Sequence, residues 1–147
     1  MVIEIDQSGK IENTNKLTVL GFSNSKSHSV IILAKDKKYI QNIFRKIGQP
    51  KIFVYKLFSI GIYFLIKDNV KSLDRVVIDR EYPGYENLIK QMIKEIFEYN
   101  KITFDSKIIH FSEIGKKSNA HHVSHKAFIS RRANKVLKLS QILKYVR

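Results

Sequence analysis

The sequence predicts an α/β fold built on one mixed sheet, and three features converge on that reading. Short apolar runs separated by polar turns crowd residues 2–34. From residue 75 onward, apolar runs alternate with a segment of helical spacing. Gly and Pro are scarce, at 6 and 2, so long irregular connections are not expected.

Residues 2–6 (VIEID) read as a strand closed by the turn pair Ser8-Gly9. Residues 16–22 (KLTVLGF) and 29–34 (SVIILA) read as the next two, joined by the polar turn 23–28. Short connections imply an antiparallel meander, because parallel neighbours need long crossovers. Asp36 is placed to cap a helix carrying Tyr39, Ile40, Ile43, Phe44 and Ile47, with Gly48 to end it. The segment after Pro50, KIFVYKLFSIGIYFLIK, is apolar almost throughout. Its length and the nearby proline favour a buried helix; two buried strands broken at Gly61 are the alternative. Residues 75–81 (RVVIDRE) form a strand, Pro83-Gly84 a turn, and 85–99 an amphipathic helix through Leu88, Ile89, Met92, Ile93, Ile96 and Phe97. Residues 107–111 (KIIHF) supply the fifth and last strand. From about 118 the chain reads as a basic helical tail.

The order is β-β-β-α-(α)-β-α-β-α, spanning 1–147 as a single domain. A meander leading into βαβ units gives a mixed sheet with helices on its faces. With the first strand central and beside the fourth, both end on one rim, where open α/β sheets place ligands.

Composition narrows the partners. Lys and Arg number 27 against 13 Asp and Glu, a formal charge of +14. Such an excess attracts polyanions, whose condensed counterions are released on binding. Nucleic acid is therefore the leading partner, ahead of a membrane surface, an acidic protein or a merely solubilising charge. The chain has no cysteine, which excludes disulfides and thiolate metal sites. The start lacks the basic and apolar segments of a signal peptide. The most apolar stretch, 52–66, contains Lys56 and is shorter than the ~20 residues of a membrane span. A cytoplasmic location without membrane insertion is expected.

Two acids stand at the ends of apolar runs: Asp6 and Asp79. On adjacent strands, ~4.8 Å apart, their carboxylates would repel each other. A divalent ion such as Mg²⁺ or Mn²⁺ is the usual relief. The plainer roles are a turn for Asp6 and a pairing with a nearby Arg for Asp79. Glu81, two residues on, shares a side with Asp79 and can add a ligand or order a water. Glu86, in a first helical turn, fits the helix dipole better than a site.

Gly115-Lys116-Lys117-Ser118-Asn119 resembles a phosphate cradle before a helix, but lacks the spaced glycines of a P-loop. No acid follows Ile114, and Lys126, Arg131 and Arg132 join Lys116 and Lys117 as candidate nucleic-acid contacts. In AHHVSHKA, His122 and His125 stand at i, i+3 and His121 and His125 at i, i+4, so either pair can converge. Without a third ligand the pair is a weak zinc signal.

Three of these features together resemble the ribonuclease H-like superfamily, which includes ribonucleases H and RuvC-type resolvases. They are the first-strand acid with its turn (IDQSG), the acid ending the fourth strand (VVIDRE), and a final helix with metal-capable His122 and His125 at i, i+3. The resemblance implies a five-stranded mixed sheet and two-metal phosphodiester hydrolysis of DNA, RNA or a hybrid. On it, Asp6 bridges the ions, Asp79 is a second ligand, Glu81 a third, and His122 or His125 takes the last-helix position. Two departures stand out. Gln7 occupies a position often acidic in type 2 ribonucleases, and the final helix has no carboxylate. A nucleic-acid-binding module without catalysis is the competing expectation. A third is a scaffold subunit, with the aromatic stretch 53–64 serving as a homodimer surface.

Overall fold

The computed structural model describes all residues except Ser25, Lys117 and Arg147. Six strands, β1 (Val2–Ser8), β2 (Thr18–Ser23), β3 (Ser27–Ile32), β4 (Arg75–Asp79), β5 (Ile109–Ser112) and β6 (Lys135–Val136), form one sheet. Their order is β5-β4-β1-β2-β3-β6. The β1-β2-β3 meander is antiparallel as its short loops require, while β4, β5 and β6 join in parallel. The expectation of a mixed α/β sheet therefore holds, with one strand more than the five expected.

Alternation along the strands divides the sheet's two faces. Ile3, Ile5, Leu20, Phe22, Val30, Ile32, Val76 and Ile78 point into the main core. That core is closed by α1 (Ala34–Lys46), α2 (Ile52–Ile66), α3 (Glu86–Tyr99) and α5 (Leu139–Leu143). On the opposite face α4 (Asn119–Ser130) seals a smaller core of Val19, Ile31 and Ala127 with Phe128 and Leu17 against it.

The segment 52–66 is a helix, not two strands. Its residues from Leu57 to Ile66 are all buried, because α2 lies between the sheet and α3. Gly61, the suspected strand break, is where the helix meets Leu20 of β2. The aromatic stretch 53–64 is thus largely core, which removes it as a homodimer surface. No helix among the described residues is long and apolar enough to cross a membrane.

Asp36 does not cap α1. Leu33 is the N-cap, without a side-chain cap bond, and Asp36 falls in the first turn. There its charge still suits the helix dipole. Gly48, with φ 77°, does end the helix: its N–H reaches Arg45 O at 3.2 Å and that of Gln49 reaches Phe44 O at 2.8 Å, the paired closure of a Schellman motif. One lysine of this helix, Lys37, is fully buried. Its ammonium donates to Lys10 O, Asn13 O and Thr18 Oγ1 at 3.1, 2.7 and 2.9 Å, binding the β1–β2 loop to α1.

The tail is not all helix. After α4 the chain turns at Arg131, adds β6 beside β3, and then sends Leu137, Ile142 and Tyr145 into the main core. It passes from one face of the sheet to the other around the β3 edge, giving that edge a pairing partner. Asn134 holds the crossing by accepting from Ser29 N–H at 2.9 Å.

Gly21 permits the close approach of α4. A Cβ there would lie 3.0 Å from Ser124 N and 3.2 Å from its Cα, both backbone atoms of the helix. Gly21→Val is expected to destabilise the fold by ~2 kcal/mol, as overpacking does, which a denaturant titration measures. An unchanged midpoint would show that α4 can move aside without cost.

Candidate metal centre

The site grows from the register of β1 against β4. Ile5 pairs with Ile78, so the next residues along the two parallel strands are Asp6 and Asp79. Both point to the α4 face, since Ile5 and Ile78 point to the other. Asp6 does not end its strand, as the sequence suggested; β1 runs on to Ser8, and Asp6 lies opposite Gly21 of β2. Glu81 follows just past β4. One carboxylate oxygen from each of Asp6, Asp79 and Glu81 lies within 4.8 Å of the others.

Each acid is held differently. Asp6 is 4% exposed, and its Oδ2 accepts from Ser124 Oγ at 2.8 Å and sits 2.9 Å from His121 Nδ1. Ser124 Oγ is also 3.0 Å from Ser8 Oγ. Asp79 Oδ1 accepts from Ile114 N–H at 2.9 Å, which ties the loop after β5 to the site. It pairs with that amide rather than with an arginine; neighbouring Arg80 is 3.6 Å from Glu86 instead. Glu86 lies in the first turn of α3, where its charge suits the helix dipole as expected, and it also accepts from Gly84 N–H at 2.8 Å.

Burial raises the Asp6 carboxyl above its ordinary range; Ser124 and His121 oppose that rise and Asp79 adds to it. Burial, then the charges of Asp79 and Asp6, push Glu81 up to about 7, against the pull of Lys10. Crowded, part-buried carboxylates of this kind are disfavoured as anions and gain from a positive partner. The donor set also fits a hard divalent ion. Mg²⁺ with oxygens at ~2.1 Å sets neighbouring ligands ~3.0 Å apart, so the three oxygens would draw together on binding an ion.

The histidine that reaches the acids is His121, where sequence reasoning favoured His122 and His125. Helix phase decides this. Ala120, Ser124 and Ala127 form the buried stripe of α4, and His121 flanks it on the acid side. His122 and His125 are exposed. His125 stacks on His121 with ring centroids 5.7 Å apart and planes 10° apart, an outer layer over the contact. The four-residue spacing of His121 and His125 was visible beforehand; which of them faces the sheet was not. Ser8 and Ser124 gave no signal.

Lys116, Lys126, Arg131 and Arg132 are exposed, and Lys117 lies outside the described residues. Ser118, expected in a phosphate cradle, instead caps α4 by accepting from His121 N–H at 3.0 Å. Two other tail cations serve the fold: Lys135 binds Asp68 at 2.7 Å, and Lys144 lies over the Tyr99 and Tyr145 rings.

Comparison with known proteins adds no kinship: no family model, curated protein or solved structure matches the chain.

The acid cluster has a measurable pH signature. Between pH 4.5 and about 7 the folded Glu81 keeps a proton that the unfolded chain has lost. Stability of the metal-free protein should therefore fall as pH rises through that window, by on the order of 2 kcal/mol given ~1.4 kcal/mol per unit and partial exposure. Thermal melts of wild type and Glu81→Gln check this: the variant's curve should be flatter. Mn²⁺ at pH 7.5 should raise the wild-type melting temperature and leave that of Asp79→Asn little changed.

Proposed function

We propose that this protein is a metal-dependent nuclease of ribonuclease H-like build, hydrolysing phosphodiester bonds of DNA, RNA or a hybrid. The observation carrying the proposal is the convergence of Asp6, Asp79 and Glu81 within 4.8 Å in a chain of net charge +14. The strands support it as well: an antiparallel β1-β2-β3 followed by parallel β4 and β5 is the arrangement that the family resemblance implies, with β6 as an addition.

Asp6 and Asp79 would hold Mg²⁺ or Mn²⁺, with Glu81 as the third oxygen ligand or the group ordering a water. Bound ions would supply an activated water and stabilise the leaving oxygen. The protein's own residues do the positioning. Ser124 and His121 fix the Asp6 carboxylate on one side, and the Ile114 amide fixes Asp79 on the other. With Asp6 ionised, His121 donates to it through Nδ1. Exposed Lys116, Lys126, Arg131 and Arg132 would contact the phosphate backbone. They add affinity without reading sequence.

A second reading, a nucleic-acid-binding module without turnover, is favoured by one observation: α4 presents His121 and no carboxylate to the cluster. Incubation of labelled single-stranded, duplex and hybrid substrates with Mg²⁺ or Mn²⁺ separates the two. Cleavage by the wild type that drops ~100-fold or more in Asp6→Asn and Asp79→Asn is expected, since even outer-shell changes at metal sites cost 10–100-fold. Equal rates in all three proteins, or none in the wild type alongside salt-sensitive binding, would remove the nuclease reading.

A further inference from the structure

The end of the sheet that carries the acids also carries a second concave surface, which hydrolysis at the acid cluster does not use. Thr18 pairs with Ile32, and Ile31 pairs with Val136, so Leu17, Leu33 and Val136 lie toward the rim that Ser8 reaches through Val19. With Phe128 and Ile129 of α4 they line a groove of about 630 Å³. From the β1–β4 pair to the β3–β6 pair is three strand steps, ~14 Å. Helix α4 belongs to both places: His121 and Ser124 face Asp6, and its other end supplies the groove.

The groove's chemistry is mixed in a specific way. Ile129 is 68% exposed and Val136 47%, large apolar side chains left in water. Around them stand Lys16, Lys35 and Arg131, all exposed, and no acid is among the described residues lining the groove. An adjoining hollow adds Tyr39, 51% exposed, and Lys138; its one acid, Asp36, is buried.

We infer that this groove is a subsite for an unpaired strand of nucleic acid running on from the acid cluster. This rests on the nucleic-acid reading proposed above and names the form of the substrate. An unpaired strand offers phosphates for the three cations and base faces for the apolar floor, the combination that single-strand grooves use. A duplex shows mainly its charged backbone and leaves the floor in water. A second copy of the chain would bring its own +14 against the same cations. At 3.4 Å per stacked nucleotide, ~14 Å is about four nucleotides, so one short strand can occupy both places.

Binding is measured by fluorescence anisotropy in EDTA, so cleavage plays no part. The probes are a labelled oligo(dT) of about a dozen nucleotides and a duplex of the same length. The combined variant Lys16→Ala/Lys35→Ala should weaken oligo(dT) binding about tenfold. It should also lower the slope of log affinity against log salt by ~1.4, since each single-strand phosphate contributes ~0.7. Ile129→Asp should weaken oligo(dT) more than duplex. Lys71→Ala, before β4 at the opposite rim, should bind as wild type does. The altered side chains are exposed, so matching melting temperatures confirm folding. Groove variants that bind oligo(dT) like Lys71→Ala would overturn the subsite and leave the metal-dependent cleavage reading standing. Equal losses for duplex and single strand would overturn it too, as would displacement of oligo(dT) by polyglutamate from wild type but not from the variants. A wild type without affinity for either probe would overturn both readings.

Discussion

The parallel pairing of β1 with β4 is the constraint on which the rest depends. Nearly seventy residues of chain, including α1 and α2, intervene before β4 returns to lie beside β1. Only the parallel register puts Ile5 against Ile78 and Asp6 next to Asp79 on the same face. The two apolar partners make the pairing favourable, and the two acids work against it. Asp6 is 4% exposed, so its charge meets both desolvation and its neighbours' charge. A polar uncharged pair at these positions would stabilise the fold more. The sheet nevertheless carries acids there, supported by Ser124, His121 and the Ile114 amide, and on the proposed reading that loss of local stability serves the chemistry.

Helix α4 turns that constraint into a site. It lies on the sheet's otherwise thinly covered face because Gly21, directly across from Asp6, has no side chain to hold it off. That closeness brings Ser124 within 2.8 Å of the acid and closes a hydroxyl chain to Ser8. The small-residue stripe Ala120, Ser124, Ala127 is the matching feature on the helix. Beyond it, the tail anchors α4 by pairing β6 with β3 and burying Leu137, Ile142 and Tyr145 in the opposite core. The position of His121 is thus coupled to packing on both sides of the sheet.

Much of this could be read from the residues, and what could not has a common cause. The meander, α3 and the acid-ending fourth strand carry their patterns locally, in turn residues and in periods of 2 and 3.6. Asp6 and Asp79 stood out for the same reason, as acids closing apolar runs. The histidine did not: AHHVSHKA allows three phases, and the one chosen depends on Gly21, roughly a hundred residues away. Strand β6 is two residues long and pairs only because β3 offers an edge, so it leaves no period to detect. Lys37 reads as one more cation in a surface run of lysines, yet three oxygens from the β1–β2 loop and β2 draw it inside. In each case the missing information is a long-range contact.

Charge distribution gives the arrangement its direction. In a chain of net charge +14, a polyanion is attracted over much of the surface, but an uncompensated acid cluster would turn its phosphates away locally. Cations bound between the carboxylates would reverse that sign at one point only. On the proposed reading the protein therefore gathers the polymer broadly, through residues such as Lys126 and Arg132, and admits a phosphate closely only where Asp6, Asp79 and Glu81 are neutralised. Raised proton affinities at Asp6 and Glu81 have the same origin: burial and mutual repulsion make these carboxyls hold their protons to higher pH, and a bound divalent ion would relieve the same repulsion.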